Sequence, residues 1–207
     1  MFKKINISKK ALEWAIIFGF VCSVFCSFAS FDASCEELRH NVLRLHIVAN
    51  SDSKEDQELK LKIRDEILKE SQSLFETDTD LNSAINTART NLKAYEDIAN
   101  RVIAQNSLSY KATASIGKAF FDTRVYESFT LPSGNYDSLI INLGESKGKN
   151  WWCVIFPSVC LPTEKNAALS QSVGEKGCEI AENSDKFVIK FKTVELYEKL
   201  KKKLGRP

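Results

Sequence analysis

Residues 43–53 read Leu43-Arg44-Leu45-His46-Ile47-Val48-Ala49-Asn50-Ser51-Asp52-Ser53. Leu43, Leu45 and Ile47 alternate with Arg44, His46 and Val48, the period of two that marks a β-strand, here expected over residues 41–48. Asn50-Ser51-Asp52-Ser53 is turn and cap chemistry. Ser53 suits an N-cap, and Glu55 and Asp56 suit the positive end of a helix. That helix is expected over residues 54–75. Leu59, Ile63 and Ile67 form one apolar stripe on it, and Leu61, Leu68 and Phe75 form another. Between the stripes lie Asp56, Gln57, Lys60 and Arg64, where a simple amphipathic helix would be apolar. A strand, a polar turn and a helix with a polar seam therefore decide the fold class.

Working outward, residues 81–105 place Leu81, Ile85, Ala88, Leu92, Tyr95, Ala99 and Val102 on one face of a second helix. Strands follow over residues 110–121, 125–131, 138–143 and 151–156. Pro132-Ser133-Gly134-Asn135 reads as a turn. The loop Gly-Glu-Ser-Lys-Gly-Lys-Asn of residues 144–150 lies between two strands expected to pair as a hairpin. Residues 163–177 are polar and surface-like, residues 187–191 read as a last strand, and residues 193–204 as a helix with a lysine-rich end. The expected class is α+β: one domain with an N-terminal strand, two long helices, a mostly antiparallel sheet and a C-terminal helix.

Upstream, Lys3, Lys4, Lys9 and Lys10 precede an almost wholly apolar run over residues 11–28. A cationic start followed by an apolar stretch is the layout of an export signal, and Ser27 and Ala29 suit a cut before Ser30. The same run is close to the minimum for a membrane anchor, so membrane association through residues 11–28 is the other reading. Residues 1–29 are expected to be leader or anchor, and residues 30–207 an exported domain. Without the leader's four cations and one acid, 25 Lys+Arg face 26 Asp+Glu, a balance of −1. No basic surface of the kind that binds nucleic acid is expected.

Cys35, Cys153, Cys160 and Cys178 lie outside the apolar run. Cys153 and Cys160, close in sequence across Pro157, are the favoured disulfide, with Cys35–Cys178 as a second. Free buried thiols are the alternative. A cysteine hydrolase would need Cys153 with His46, and a cell-wall hydrolase a carboxylate of raised pKa. Cys153 with Cys160 after it suits a bridge better than a nucleophile, and Asp56, the one acid in an apolar setting, has Lys60 beside it to lower its pKa. Two His and no clustered ligand spacing argue against a metal, and no cofactor is expected.

Trp151 and Trp152 are adjacent and should point to opposite faces of a strand. One exposed Trp beside Gly148 and Asn150 would form a binding hot spot; both could instead be buried. The polar seam Asp56, Gln57, Lys60 and Arg64 is read as a hydrogen-bonded structural network, with a stripe open to a partner as the alternative.

Two segments carry a resemblance. The first is Leu43 to Ser53 as quoted, continuing through Asp56-Gln57, Leu59-Lys60-Leu61-Lys62 and Arg64-Asp65. The second is Tyr136, Gly144-Glu145, Gly148, Asn150-Trp151-Trp152-Cys153-Val154-Ile155-Phe156-Pro157 and Cys160. Together they resemble the stage II sporulation protein R family. The resemblance implies a signalling protein of endospore formation with no catalytic role of its own. Such proteins are made in the forespore and exported into the space between its two membranes. There they trigger a membrane-bound aspartic protease of the mother cell, which processes a sigma factor precursor. The expected partners are that protease and the export machinery, with Asn150, Trp151, Trp152, Gly148, His46, Asn50 and Asp52 as candidate contacts. An exported cell-wall or ester hydrolase, or a non-signalling binding domain, are the alternatives.

Overall fold

The computed structural model describes residues 9–126, 129–157, 180–181 and 183–204. Helix α1 (Lys9–Arg39) holds the apolar run and continues beyond it. Strand β1 (Leu43–Val48), helix α2 (Lys54–Leu74), helix α3 (Leu81–Thr90) and helix α4 (Leu92–Gln105) follow. Then come β2 (Ala112–Phe121), β3 (Arg124–Val125), β4 (Thr130–Leu131), β5 (Gly134–Leu143) and β6 (Asn150–Phe156). Helix α5 (Val188–Lys203), entered through a 3₁₀ turn at Ser184–Phe187, ends the described chain. The α+β class and the mostly antiparallel sheet are as expected.

Four strands form one sheet in the order β2-β5-β1-β6. β1 pairs parallel with β5 and antiparallel with β6, and β2 pairs antiparallel with β5. β1 is central because both of its faces can be buried. Leu43, Leu45 and Ile47 face a core made with Leu59, Ile63 and Ile67 of α2 and Tyr95, Ala99 and Val102 of α4. Arg44 and His46 face the other side, where Phe121, Phe129, Leu131, Tyr136 and Val154 gather with Leu38 of α1. The small β3–β4 hairpin lies over this second face.

Several expectations need correction. Strands β5 and β6 do not form a hairpin, because β1 lies between them. An apolar, doubly buried strand takes the centre of a sheet, so the loop of residues 144–150 crosses the end of β1. The helix expected over residues 81–105 is broken at Asn91, whose side chain donates to the carbonyl of Thr87 at 2.8 Å and competes with the helical backbone. The strand expected over residues 125–131 is two two-residue strands. The turn at residues 132–135 is cut short, since β5 starts at Gly134. Residues 187–191 are helical, with Phe191 and Val194 filling a small core against Phe31 and Cys35 of α1. At helical spacing that pair shares a face, which a strand would not give.

Cys35 is buried and free, so it does not pair with Cys178. Cys153 is disulfide-bonded, and its partner lies outside the described residues, as do Cys160, Cys178 and residues 163–177. Cys153→Ser is expected to lower stability by about 2–4 kcal/mol, read from denaturant unfolding of the oxidised protein.

Candidate functional site

The turn after β1 and the loop after β5 clasp each other. Asn50 is the hinge pin: its Oδ1 accepts from the backbone N–H of Glu145 at 2.9 Å, and its carbonyl accepts from that of Lys147 at 3.1 Å. Asp52 Oδ1 accepts from the backbone N–H of Lys149 at 2.7 Å, and the carbonyl of Ala49 accepts from Gly148 at 2.9 Å. Two glycines permit this approach. Gly144 sits at φ +54°, and a Cβ there would stand 2.2 Å from Asn50 Oδ1. A Cβ on Gly148 would stand 2.2 Å from the carbonyl oxygen of Ser51.

Asp56 fastens the clasp from below. One carboxylate oxygen accepts from Asn50 Nδ2 at 2.9 Å and Ser51 Oγ at 2.5 Å; the other accepts from Tyr110 Oη. Its backbone N–H donates to Ser53 Oγ at 3.1 Å, the N-cap bond of α2. Burial alone would raise the carboxyl's pKa. Hydrogen bonds from Ser51, Tyr110, Asn50 and Ser53 outweigh burial and hold it below the usual aspartate value. A depressed carboxyl stabilises fully above its unfolded pKa and loses that contribution as pH falls through its folded one. The stability gap between wild type and Asp56→Asn should therefore narrow on acidification through and below the aspartate range, in unfolding measured across pH.

Lys60 is buried on the same seam. It donates to Gln57 Oε1 at 2.6 Å and to the carbonyl of Lys149 at 2.9 Å, while Gln57 Nε2 donates to the carbonyl of Ser51 at 2.8 Å. Desolvation lowers the Lys60 pKa, with Asp52 opposing and Lys149 adding to it. Asp56 is therefore bonded to Asn50, Ser51 and Tyr110, while Gln57 and Lys60 bond each other and the loop backbone, with Lys60 turned away from Asp56. Arg64 stands outside both groups: it pairs with Asp65 at 2.6 Å and lies 4.5 Å over the Trp151 ring.

Trp151 and Trp152 point to opposite sheet faces as expected, but neither is the freely exposed one. Trp151 joins the helix-side core under Arg64. Trp152 sits with Phe121 at 5.7 Å and His46 at 6.3 Å, under Arg124 at 5.0 Å. Both Ala variants are accordingly expected to lose about 2–4 kcal/mol, with no silent partner in the pair, in matched denaturant melts. His46, Asn150 and Trp152 line an open cleft of about 440 Å³ with Asp122, Lys199 and Lys202. Burial lowers the His46 pKa; Asn150 opposes and Arg44 adds to the fall. The seven candidate contacts therefore divide: Asn50, Asp52 and Gly148 in the clasp, His46, Asn150 and Trp152 at the cleft, and Trp151 behind the sheet.

Cys153 and His46 occupy opposite faces, and a disulfide sulfur holds no thiolate, so this pair cannot serve a cysteine hydrolase. Tyr110 and Ser51 are members of the network that sequence reasoning missed. No local signal marks Tyr110, which reaches Asp56 across 54 positions. Arg44 was missed too, although its signal was visible: a fixed cation in a strand whose other residues, His46 apart, are apolar. It is fully buried, 3.9 Å beneath Phe121 and 4.9 Å from Tyr136. It donates to Tyr126 Oη at 2.7 Å and to the carbonyl of Cys153 at 3.5 Å. Burial lowers its pKa, opposed by Tyr126 and Tyr136, and no carboxylate pairs with it among the described residues.

The clasp unites two distant stretches of chain, and both fall inside residues 39–166, which match the sequence model of stage II sporulation protein R. The chain belongs to the stage II sporulation protein R family. Stage II sporulation protein R of Bacillus subtilis (strain 168) is 33% identical over 156 residues, covering 75% of this chain and 65% of that relative. The chain thus spans just under two thirds of the relative's length. No solved structure matches. Membership of the stage II sporulation protein R family ties the chain to sporulation, and α1 is long and apolar enough to serve as signal or anchor.

Proposed function

We propose that this chain is an exported sporulation messenger that binds a membrane-bound aspartic protease and activates it, so that a mother-cell sigma factor precursor is processed. The chain itself does no chemistry. Residues 30–207 work outside the cytoplasm, in the space between the forespore membranes, after delivery by the leader or anchor in α1.

The observation that carries this reading is the clasp. Both stretches that mark the family converge on one rigid rim at the end of β1, and that rim turns polar groups outward. Asp52, Glu145, Lys147, Lys149 and Asn150 are exposed there, on loops pinned by Asn50 and Asp56. A preorganised polar rim loses little entropy on docking and sets partner choice through charge. His46 and Trp152 in the neighbouring cleft supply apolar area beside it.

The test is co-expression of the chain with the protease and the sigma precursor. The triple variant Glu145→Ala, Lys147→Ala, Lys149→Ala trims the rim and leaves its backbone hydrogen bonds in place. It is expected to melt as wild type and to cut precursor cleavage at least tenfold. Wild-type cleavage by a well-folded variant would remove the rim from the contact.

A further inference from the structure

We propose that α5 is a membrane-surface helix, which lies on anionic lipid where α1 leaves the bilayer. Its inner side is accounted for by Phe191, Val194 and Glu198, all buried against the rest of the chain. At about 100° per residue, Ile189, Leu196, Tyr197, Leu200 and Leu204 fall together on another side. They are 78%, 62%, 54%, 49% and 71% exposed. A helix whose outer side faced only water would be polar there.

Lysines fringe this stripe along both edges. Lys192, Lys199 and Lys203 run along one, and Lys190 and Lys201 along the other. Lys192 and Lys199 pair with Glu195, at 3.5 and 2.7 Å, and Lys199 also pairs with Asp122 at 3.1 Å, so the cations offered to lipid are chiefly Lys201 and Lys203. An apolar stripe with Lys201 on one border and Lys203 on the other fits the headgroup boundary: the stripe enters the acyl region and these two lysine stems reach back to phosphates. The same fringe disfavours a second copy of the chain, since two stripes face to face would oppose like charges.

The first half of α5 stands beside the end of the apolar run, and its second half reaches the end of β2, with Lys199 paired to Asp122 at 3.1 Å and Lys202 4.4 Å over the Phe120 ring. Lys190 Nζ donates to Ser27 Oγ at 2.9 Å, and Phe31 of α1 packs against Phe187 and Phe191 at 5.6 and 5.1 Å. Beside them an apolar cleft of about 490 Å³ separates Val24, Phe25 and Phe28 from Val194 and Tyr197. Val24, Phe25 and Phe28 close the apolar run of α1, so α5 begins at the level where a spanning helix emerges. α5 lies beyond the residues that match the family, and this reading is independent of protease activation.

The test places photoreactive benzoylphenylalanine at Leu200 in the full chain, reconstituted into vesicles of phosphatidylcholine with or without phosphatidylglycerol. Expected is a lipid adduct at Leu200, several-fold stronger with phosphatidylglycerol. Lys201→Gln with Lys203→Gln should abolish that enhancement, and a probe at exposed Lys54 should give no adduct. A crosslink to a second copy, no lipid adduct, or equal labelling at Lys54 would each overturn the proposal.

Discussion

Asp56→Ala is expected to lower stability by about 3–5 kcal/mol and to uncouple the two halves of the rim. The carboxylate receives three side-chain donors, from Asn50, Ser51 and Tyr110. Alanine leaves those donors without their acceptor in a site where Asp56 itself is only 5% exposed. Each unsatisfied buried donor costs about 1–3 kcal/mol, and shared relaxation keeps the sum below three full penalties. Asn50 would lose its orientation at the same time, and with it the bond that holds the backbone of Glu145. Gly148→Ala should loosen the same contact from the opposite side, because its Cβ meets the Ser51 carbonyl. Chemical denaturation gives the energy. Amide exchange at Glu145, Lys147 and Lys149 shows whether the loop is released; full protection in Asp56→Ala would contradict the clasp.

Arg44→Ala is expected to cost about 3–5 kcal/mol as well, for a different reason. The guanidinium is buried between aromatic rings, with no carboxylate beside it among the described residues. Its long stem and flat head fill space as a large apolar side chain would, and truncation leaves a cavity under Phe121 and Tyr136. Arg44→Met refills most of that volume and removes a charge whose desolvation is unfavourable. It should return to within about 1 kcal/mol of wild type. If Met were as damaging as Ala, the charge itself, through Tyr126 and the Cys153 carbonyl, would hold this face together. Comparing the two variants in urea unfolding separates volume from charge.

These residues show what could be read from the chain in order. The β1-turn-α2 unit was legible because local signals agree there: alternation in Leu43–Val48, the Ser53 cap and the Leu59, Ile63 and Ile67 stripe. The seam Asp56, Gln57 and Lys60 stood out because polar residues occupied a position that amphipathicity reserves for apolar ones. Strand order did not show, since nothing in residues 144–150 says whether the flanking strands touch each other or enclose a third. The role of Arg44 needed Phe121 and Tyr136, and that of Tyr110 needed Asp56, all far away in sequence. The break at Asn91 is one residue wide, with its side chain and its backbone N–H both on the Thr87 carbonyl, too small a feature for a periodic pattern that runs through it. α5 misled because Phe187, Ile189 and Phe191 alternate by chance inside a helical segment.

The most direct test is sigma-precursor cleavage in cells that hold the protease, the precursor and this chain, with and without residues 1–29. Cleavage should depend on the chain and require the form that still carries its export segment. Equal cleavage without the chain, or from a body retained in the cytosol, would contradict it.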